Sequence, residues 1–221
     1  MPNKKVLELF AGSRSFTKVA ERFGLDTYTT DFKAFDKIDQ VCDIFDFDFK
    51  KVPFIPDIIW ASPPCTTFSV ASIGTHWDGG HRAYIPKTEE AKIGIAIVRK
   101  TIEIIQLYGN KNPYLLWIIE NPRGVLRKLN LIDVEPKTAW YCQYGDKRAK
   151  PTDLFFNFDW IPKRCKNNRT PNQLTIFKPC KHELAPRGSK TGTQGLENDF
   201  ERSKVPEKLC EEIIEAIIDA E

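Results

Sequence analysis

Three short apolar runs constrain this chain more than anything else in it. Val6-Leu7-Glu8-Leu9, Asp57-Ile58-Ile59-Trp60-Ala61 and Tyr114-Leu115-Leu116-Trp117-Ile118-Ile119 are each too short for a helix. Each is nearly continuous in apolar character, and each stops at a group of turn-forming or chemically active residues: Phe10-Ala11-Gly12, Ser62-Pro63-Pro64-Cys65 and Glu120-Asn121-Pro122. Strands that are apolar on both faces belong to a parallel sheet covered on both sides. Between them the period changes to that of helices. Ser15–Phe23 reads as an amphipathic helix ending at Gly24, and Glu89–Leu107 as a helix with Ile93, Ile97, Ile102 and Ile105 on its apolar face. Thr27–Thr30 reads as a further strand ending at Asp31, and Thr138–Gln143 and Leu154–Phe156 as two more. Pro206–Ala220 reads as a closing helix with Leu209, Ile213, Ile214 and Ile217 along one side. The expectation is an α/β fold of Rossmann-like type, a mostly parallel sheet with helices on both faces.

The pattern divides the 221 residues into a catalytic cofactor-binding domain over 1–157, a small irregular basic lobe over 158–200, and a helix over 201–221 that returns to the first domain. Residues 73–86 hold three glycines and no evident strand or helix, which suits a loop that closes over a site. The net charge of +3 is small, but it is unevenly spread. Lys147, Arg148, Lys150, Lys163, Arg164, Lys166, Arg169, Lys178, Lys181, Arg187 and Lys190 face only Asp153, Asp159 and Glu183 within one segment. Such a segment fits phosphate contact as well as it fits a solvated surface. No apolar run approaches the roughly 18 residues of a membrane span, and no signal-peptide core precedes Val6, so a cytoplasmic protein without a membrane partner is expected. In that compartment the six cysteines read as core, ligand or catalyst rather than as disulfides.

In a doubly wound sheet the turn after the first strand holds nucleotide-like ligands, and here it is Phe10-Ala11-Gly12-Ser13. Asp31 stands where a carboxylate accepts from ribose hydroxyls, and Asp43, next to Ile44, where one accepts from an adenine amino group. Both also fit helix caps. Cys65, behind two prolines at a strand mouth, is placed as a nucleophile, although a free cysteine is more often structural. Glu120 would share its sheet edge, as a proton holder or as a cap.

Taken in order, these segments resemble the carbon-5 cytosine DNA methyltransferase family, in particular its compact viral and phage members. Phe10-Ala11-Gly12 is similar to the family's cofactor turn, Pro63-Pro64-Cys65-Thr66-Thr67-Phe68-Ser69 to its Pro-Cys motif, and Glu120-Asn121-Pro122 to its Glu-Asn-Val motif. Residues 144–150 are similar to its Gln-X-Arg-X-Arg region, and Arg202-Ser203-Lys204-Val205-Pro206 to its last motif. The resemblance implies transfer of methyl from S-adenosylmethionine to carbon-5 of a cytosine flipped out of double-stranded DNA, through a covalent Cys65 adduct. It implies Glu120 on the ring nitrogen, Asn121 in support, Arg148 and Lys150 around the base, and a cofactor held by Phe10, Ala11, Gly12, Ser13, Asp31, Asp43, Ile44, Pro63, Ser203 and Val205. Ser69, Arg82, Arg123, Arg187 and Lys190 are the DNA-contact candidates, and a monomer is expected. A role in restriction-modification or in modification of a viral genome would follow. An RNA or free-nucleotide methyltransferase, or a silent DNA-binding subunit, remain alternatives. Six positions depart from the family: Arg14 for a glycine, Thr66-Thr67 for Gln-Pro, Pro122 for valine, Asp146 for the glutamine, and Lys150 for the second arginine. Finally, Cys165, Cys180 and His182, with Cys142 as a further candidate, suggest a zinc ion that would help the small lobe fold, although no Cys-X-X-Cys pair is present.

Overall fold

The computed structural model describes residues 3–80, 83–165, 182 and 198–219. Its strands are β1 Lys5–Leu9, β2 Asp26–Asp31, β3 Gln40–Val41, β4 Ile58–Ala61, β5 Trp77–Asp78, β6 Ile85–Pro86, β7 Leu116–Pro122, β8 Lys137–Trp140 and β9 Pro151–Phe156. Its helices are α1 Ser15–Arg22, α2 Ile73–His76, α3 Glu89–Gly109, α4 Asp199–Ser203 and α5 Glu207–Asp219. Seven strands form one sheet in the order β3-β2-β1-β4-β7-β9-β8. The first five in that order are parallel, and β9 runs antiparallel to both β7 and β8. The doubly wound sheet expected from the sequence is therefore present. The chain moves outward from β1 in both directions, which makes the β1–β4 junction the switch point where such sheets bind ligands.

One face of the sheet packs on α3 through Ala91, Val98, Ile104, Ile105 and Tyr108. The other packs on α1 and α5 through Phe16, Val19, Ala20, Leu209, Cys210, Ile213, Ile214 and Ile217. Phe16 stacks on Trp60 with ring centroids 4.7 Å apart. Burying such aromatic pairs supplies area and an oriented contact together. The chain beyond β9 stays in this core at first, since Trp160 packs on Phe156.

Several local expectations need correcting. The buried side of α3 is Ala91, Gly94, Val98, Thr101, Ile104, Ile105 and Tyr108, while Ile93 is exposed. A face chosen by bulk misses the small residues that allow close approach: a Cβ on Gly94 would lie 2.7 Å from Thr67 Oγ1. The strand read over 138–143 stops at Trp140, and Tyr141–Tyr144 forms a 3-10 turn ended by Gly145 at φ 89°. Residues 73–86 are not without regular structure. They contain α2 and the β5–β6 ribbon, pinned by Trp77 Nε1 donating to the Thr67 carbonyl at 2.6 Å. Glu120 does not end its strand. β7 runs on through Pro122, paired with β9, with Glu120 opposite Leu154.

Glu8 lies buried in β1, where Thr17 donates to Oε2 from its backbone N at 2.8 Å and also from its hydroxyl. Burial raises its pKa to about 7 despite these donors. A carboxyl raised from 4.5 to about 7 on folding binds its proton more tightly in the native state. Its effect is therefore to make stability fall as pH rises between those values. We expect Glu8→Gln to remove about 3 kcal/mol of that fall. The check is urea unfolding of both proteins at pH 4.5 and 7; parallel pH dependences would contradict it.

Candidate active site

Parallel pairing of β4 with β7 places Ala61 opposite Ile119, so the residues that follow both strands emerge at one sheet edge. Cys65 follows β4 by four residues in a turn closed by the Phe68 and Ser69 amides, which both donate to the Cys65 carbonyl at 3.0 Å. Phe68 is fully buried and anchors this turn. The Val125 amide donates to the Phe68 carbonyl at 2.8 Å, and Asn121 Nδ2 donates to the Pro63 carbonyl at 3.0 Å. Gly124 is required here, because a Cβ would stand 2.1 Å from the Phe68 oxygen. Thr67, at a position that departs from the family, is buried with its hydroxyl against Gly94.

The Cys65 side chain is exposed, while Glu120 and Asn121 are buried. Tyr141 donates its hydroxyl to Glu120 Oε1 at 3.2 Å. Burial pushes the Tyr141 pKa well up, and the Glu120 charge adds to this, so Tyr141 stays a donor. Lys150 Nζ donates to the Arg202 carbonyl at 2.9 Å and lies 4.6 Å from the Tyr141 ring centroid. Desolvation lowers the Lys150 pKa, while the charges of Glu120 and Cys65 oppose that. The Cys65 thiol is raised, first by desolvation and then by Glu120, while Lys150 and Arg202 pull it down. Thus Cys65, Glu120, Lys150 and Tyr141 form one electrostatic cluster. Arg148 stands beside it, paired with Asp146 through Nε at 2.9 Å and through Nη2, and reaching the Arg202 carbonyl at 3.5 Å. Tyr141 and Arg202 were not among the sequence candidates. Lone tyrosines and backbone carbonyls carry no sequence signal of this kind.

Beside this cluster lies a cleft of about 200 Å³ lined by Phe10, Thr30, Asp31, Phe32, Cys42, Asp43, Ile44, Pro64 and Ile97. Asp31 accepts from the Gly12 amide through Oδ2 and from the Lys33 amide through Oδ1, both at 2.9 Å. Asp43 caps a 3-10 turn, accepting from the Phe45 amide at 3.0 Å. Each carboxylate keeps lone pairs for a further donor. Arg14 takes the left-handed conformation, φ 51° and ψ 39°, that the expected glycine would take, and Phe10 does so too at φ 59°. For a non-glycine residue this costs on the order of 1–2 kcal/mol. Arg14 is held there with its side chain paired to Glu21. Ser13 shares a 2.7 Å hydrogen bond with Ser15, whose hydroxyl accepts from the Val205 amide at 3.1 Å, so the last motif docks on the first. Ala11 is buried within the turn, and Ser203 is exposed and donates to the Phe200 carbonyl at 2.8 Å.

The DNA-contact candidates are more scattered. Ser69 caps the 3-10 turn Val70–Ser72, with its hydroxyl accepting from the Ala71 amide at 3.3 Å. Arg123 is exposed, close enough to Asp153 for its charge to act on that carboxyl. His76, in the segment before Arg82, shares a 2.7 Å hydrogen bond with the Thr88 hydroxyl. Arg82, Arg187 and Lys190, and the zinc candidate Cys180, lie outside the described residues.

The Cys65 thiol should titrate above an ordinary cysteine, so its alkylation at neutral pH should be slow and should rise with pH. Glu120→Gln removes a negative charge and should move the profile to lower pH; Lys150→Met removes a positive one and should move it higher. Iodoacetamide labelling of the Cys65 peptide, followed by mass spectrometry across pH, measures this. Shifts of the opposite sign would refute the cluster.

No protein-family model matches the chain. Over 219 residues it is 28% identical to a "Probable DNA (cytosine-5)-methyltransferase" of Frog virus 3 (isolate Goorha), covering 96% of this chain and 99% of that one. Among solved structures it resembles the Entamoeba histolytica methyltransferase EhMeth, with TM-score 0.45, 14% identity and 74% of this chain covered. It also resembles a Spodoptera frugiperda DNMT2 mutant, with TM-score 0.41, 18% identity and 75% covered. The chain spans 58% and 54% of those two structures. Among the described residues, no helix is long and apolar enough to cross a membrane. In sequence, then, the chain is similar over nearly its whole length to a protein assigned as a viral DNA methyltransferase.

Proposed function

We infer that the protein is an S-adenosylmethionine-dependent DNA (cytosine-5-)-methyltransferase. The observation that carries this reading is the convergence of Cys65 and Glu120 on one sheet edge, with Lys150 beside them and the Phe10–Asp31–Asp43 cleft adjoining. The near full-length similarity to the frog virus protein supports it.

The cleft suits the cofactor. Phe10, Phe32, Ile44 and Ile97 offer apolar walls to an adenine ring, and Asp31 and Asp43 offer acceptors to hydroxyl and amino donors. Ala11, Gly12 and Ser13 follow Phe10 in the same turn, and the proline that lines the cleft is Pro64 rather than the expected Pro63; Ser203 and Val205 are not among its lining, and Val205 reaches this turn region through Ser15. When bound, S-adenosylmethionine supplies an electrophilic methyl group.

Carbon-5 of cytosine is a weak nucleophile. The Cys65 thiolate adds to carbon-6, forming a C–S bond and moving the ring electrons toward carbon-5. The charge that would build on the ring reaches N3, where Glu120, oriented by the Tyr141 hydroxyl, holds the proton. Asn121 keeps the Cys65 turn and Glu120 together through Pro63. Lys150 favours the thiolate and faces the base carbonyl, and Arg148 acts as a positioning residue through Asp146 and the Arg202 carbonyl. Methyl transfer would leave the cofactor as its neutral thioether; a solvent base then takes the carbon-5 proton as the carbon-6–sulfur bond breaks, which frees the thiolate and restores the ring. The target has to leave the base stack for this, at a cost of a few kcal/mol, which Ser69, Arg82, Arg123, Arg187 and Lys190 would offset through contacts to the DNA.

Cys65→Ala should lower methyl transfer from labelled cofactor to duplex DNA by at least about 10³-fold while cofactor binding persists. Duplex DNA bearing 5-fluorocytosine should trap wild-type protein, not the variant, as a denaturant-stable adduct. Retained activity in Cys65→Ala would defeat the mechanism. Transfer to RNA but not to duplex DNA would redirect the substrate.

A further inference from the structure

A second cluster lies away from the cofactor cleft. Cys142 sits in the 3-10 turn Tyr141–Tyr144, directly after the tyrosine that contacts Glu120. Cys165 and His182 come from the segment beyond β9. One donor atom from each of the three lies within 4.8 Å of the others. Cys165 Sγ and His182 Nδ1 are 3.7 Å apart. A tetrahedral ion with bonds of about 2.3 Å to sulfur and 2.0–2.1 Å to nitrogen has an S···N edge of about 3.6 Å, so this pair already has the separation of shared ligands.

Backbone contacts set the approach without any ion. The Trp140 amide donates to the Lys163 carbonyl at 3.3 Å, and the Lys163 amide donates to the Tyr144 hydroxyl at 2.8 Å. The chain two residues before Cys165 is thereby laced to both ends of the turn that carries Cys142. Neither cysteine is in a disulfide.

We propose that Cys142, Cys165 and His182 bind a zinc ion that fastens the basic segment to the turn beside the catalytic cluster. Two thiolates and an imidazole form a soft donor set, which suits zinc and suits neither magnesium nor calcium. Binding replaces two S–H protons, which are released to solvent, and uses neutral imidazole. The remaining tetrahedral position is not filled by a described residue. Cys142, a further candidate in the sequence, stands with Cys165 and His182 in this group, while Cys180 lies outside the described residues. The site gives the ion a place: it joins the carrier of Tyr141 to a segment rich in lysine and arginine.

The proposal does not depend on the proposed reaction, and its test does not read activity. The full chain, purified without chelators, is analysed for metal by mass spectrometry; about one zinc per chain is expected. Cys142→Ser, Cys165→Ser and His182→Ala should each fall below about a fifth of that, while His182→Cys keeps zinc, because cysteine is itself a ligand. Cys65→Ser should keep zinc too, which separates this site from the catalytic one. Cobalt added to metal-free protein should give thiolate-to-metal charge-transfer absorption that zinc abolishes. Metal-free wild-type protein that gives no such absorption would overturn the proposal. So would isolation with a Cys142–Cys165 disulfide and no metal, or equal zinc in wild type and all ligand variants.

Discussion

The site depends on the tether between the end of β7 and the turn after β4. Asn121 Nδ2 holds the Pro63 carbonyl, Val125 holds the Phe68 carbonyl, and Gly124 leaves just enough room for the second contact. Parallel pairing alone would bring the two strand ends to one edge, but a turn with a proline pair could still leave in many directions. The tether selects one. It converts two unrelated loops into a single rigid wall carrying a thiol on one side and a carboxyl on the other. A reacting pair held this way needs little reorganisation when a substrate arrives, which is the source of much catalytic advantage.

The electrostatics of that wall are balanced rather than one-sided. Desolvation and the Glu120 charge disfavour the thiolate, while Lys150 and Arg202 favour it. A thiol kept mostly protonated is protected from oxidation and stray alkylation. The same arrangement leaves room for a ring brought into the cleft to tip the balance, by meeting the Glu120 carboxyl that opposes ionisation.

Much of this architecture was legible in the residues. β1, β4 and β7 announce themselves as continuous apolar runs, because strands buried on both faces need no polar alternation. Phe10-Ala11-Gly12 and Cys65 follow β1 and β4, and Glu120 lies near the end of β7, because ligand chemistry collects at this edge of such sheets. What was hidden was hidden for physical reasons. Arg14 does the conformational work of a glycine, held by its pairing to Glu21 rather than by lacking a side chain. The working face of α3 is marked by Ala91 and Gly94, whose smallness no hydrophobic pattern rewards. Tyr141 looked like one more strand residue, but the chain turns there and buries its ring under Lys150. The β5–β6 ribbon is two residues on each side, too short to show any period.

The Arg202 carbonyl has a consequence for how the molecule comes into being. It receives Lys150 and Arg148 from about fifty residues earlier in the chain, while the Val205 amide reaches back to Ser15, and α5 covers α1. The floor of the site is thus laid by a segment far downstream of the motifs it supports. Until that segment is made, β1 and α1 lack their cover, and the lysine that steadies the thiolate lacks its anchor. A chain made only as far as residue 200 would carry every residue of the Cys65 turn and still lack this floor, so the site assembles only after Arg202, Val205 and α5 have been made.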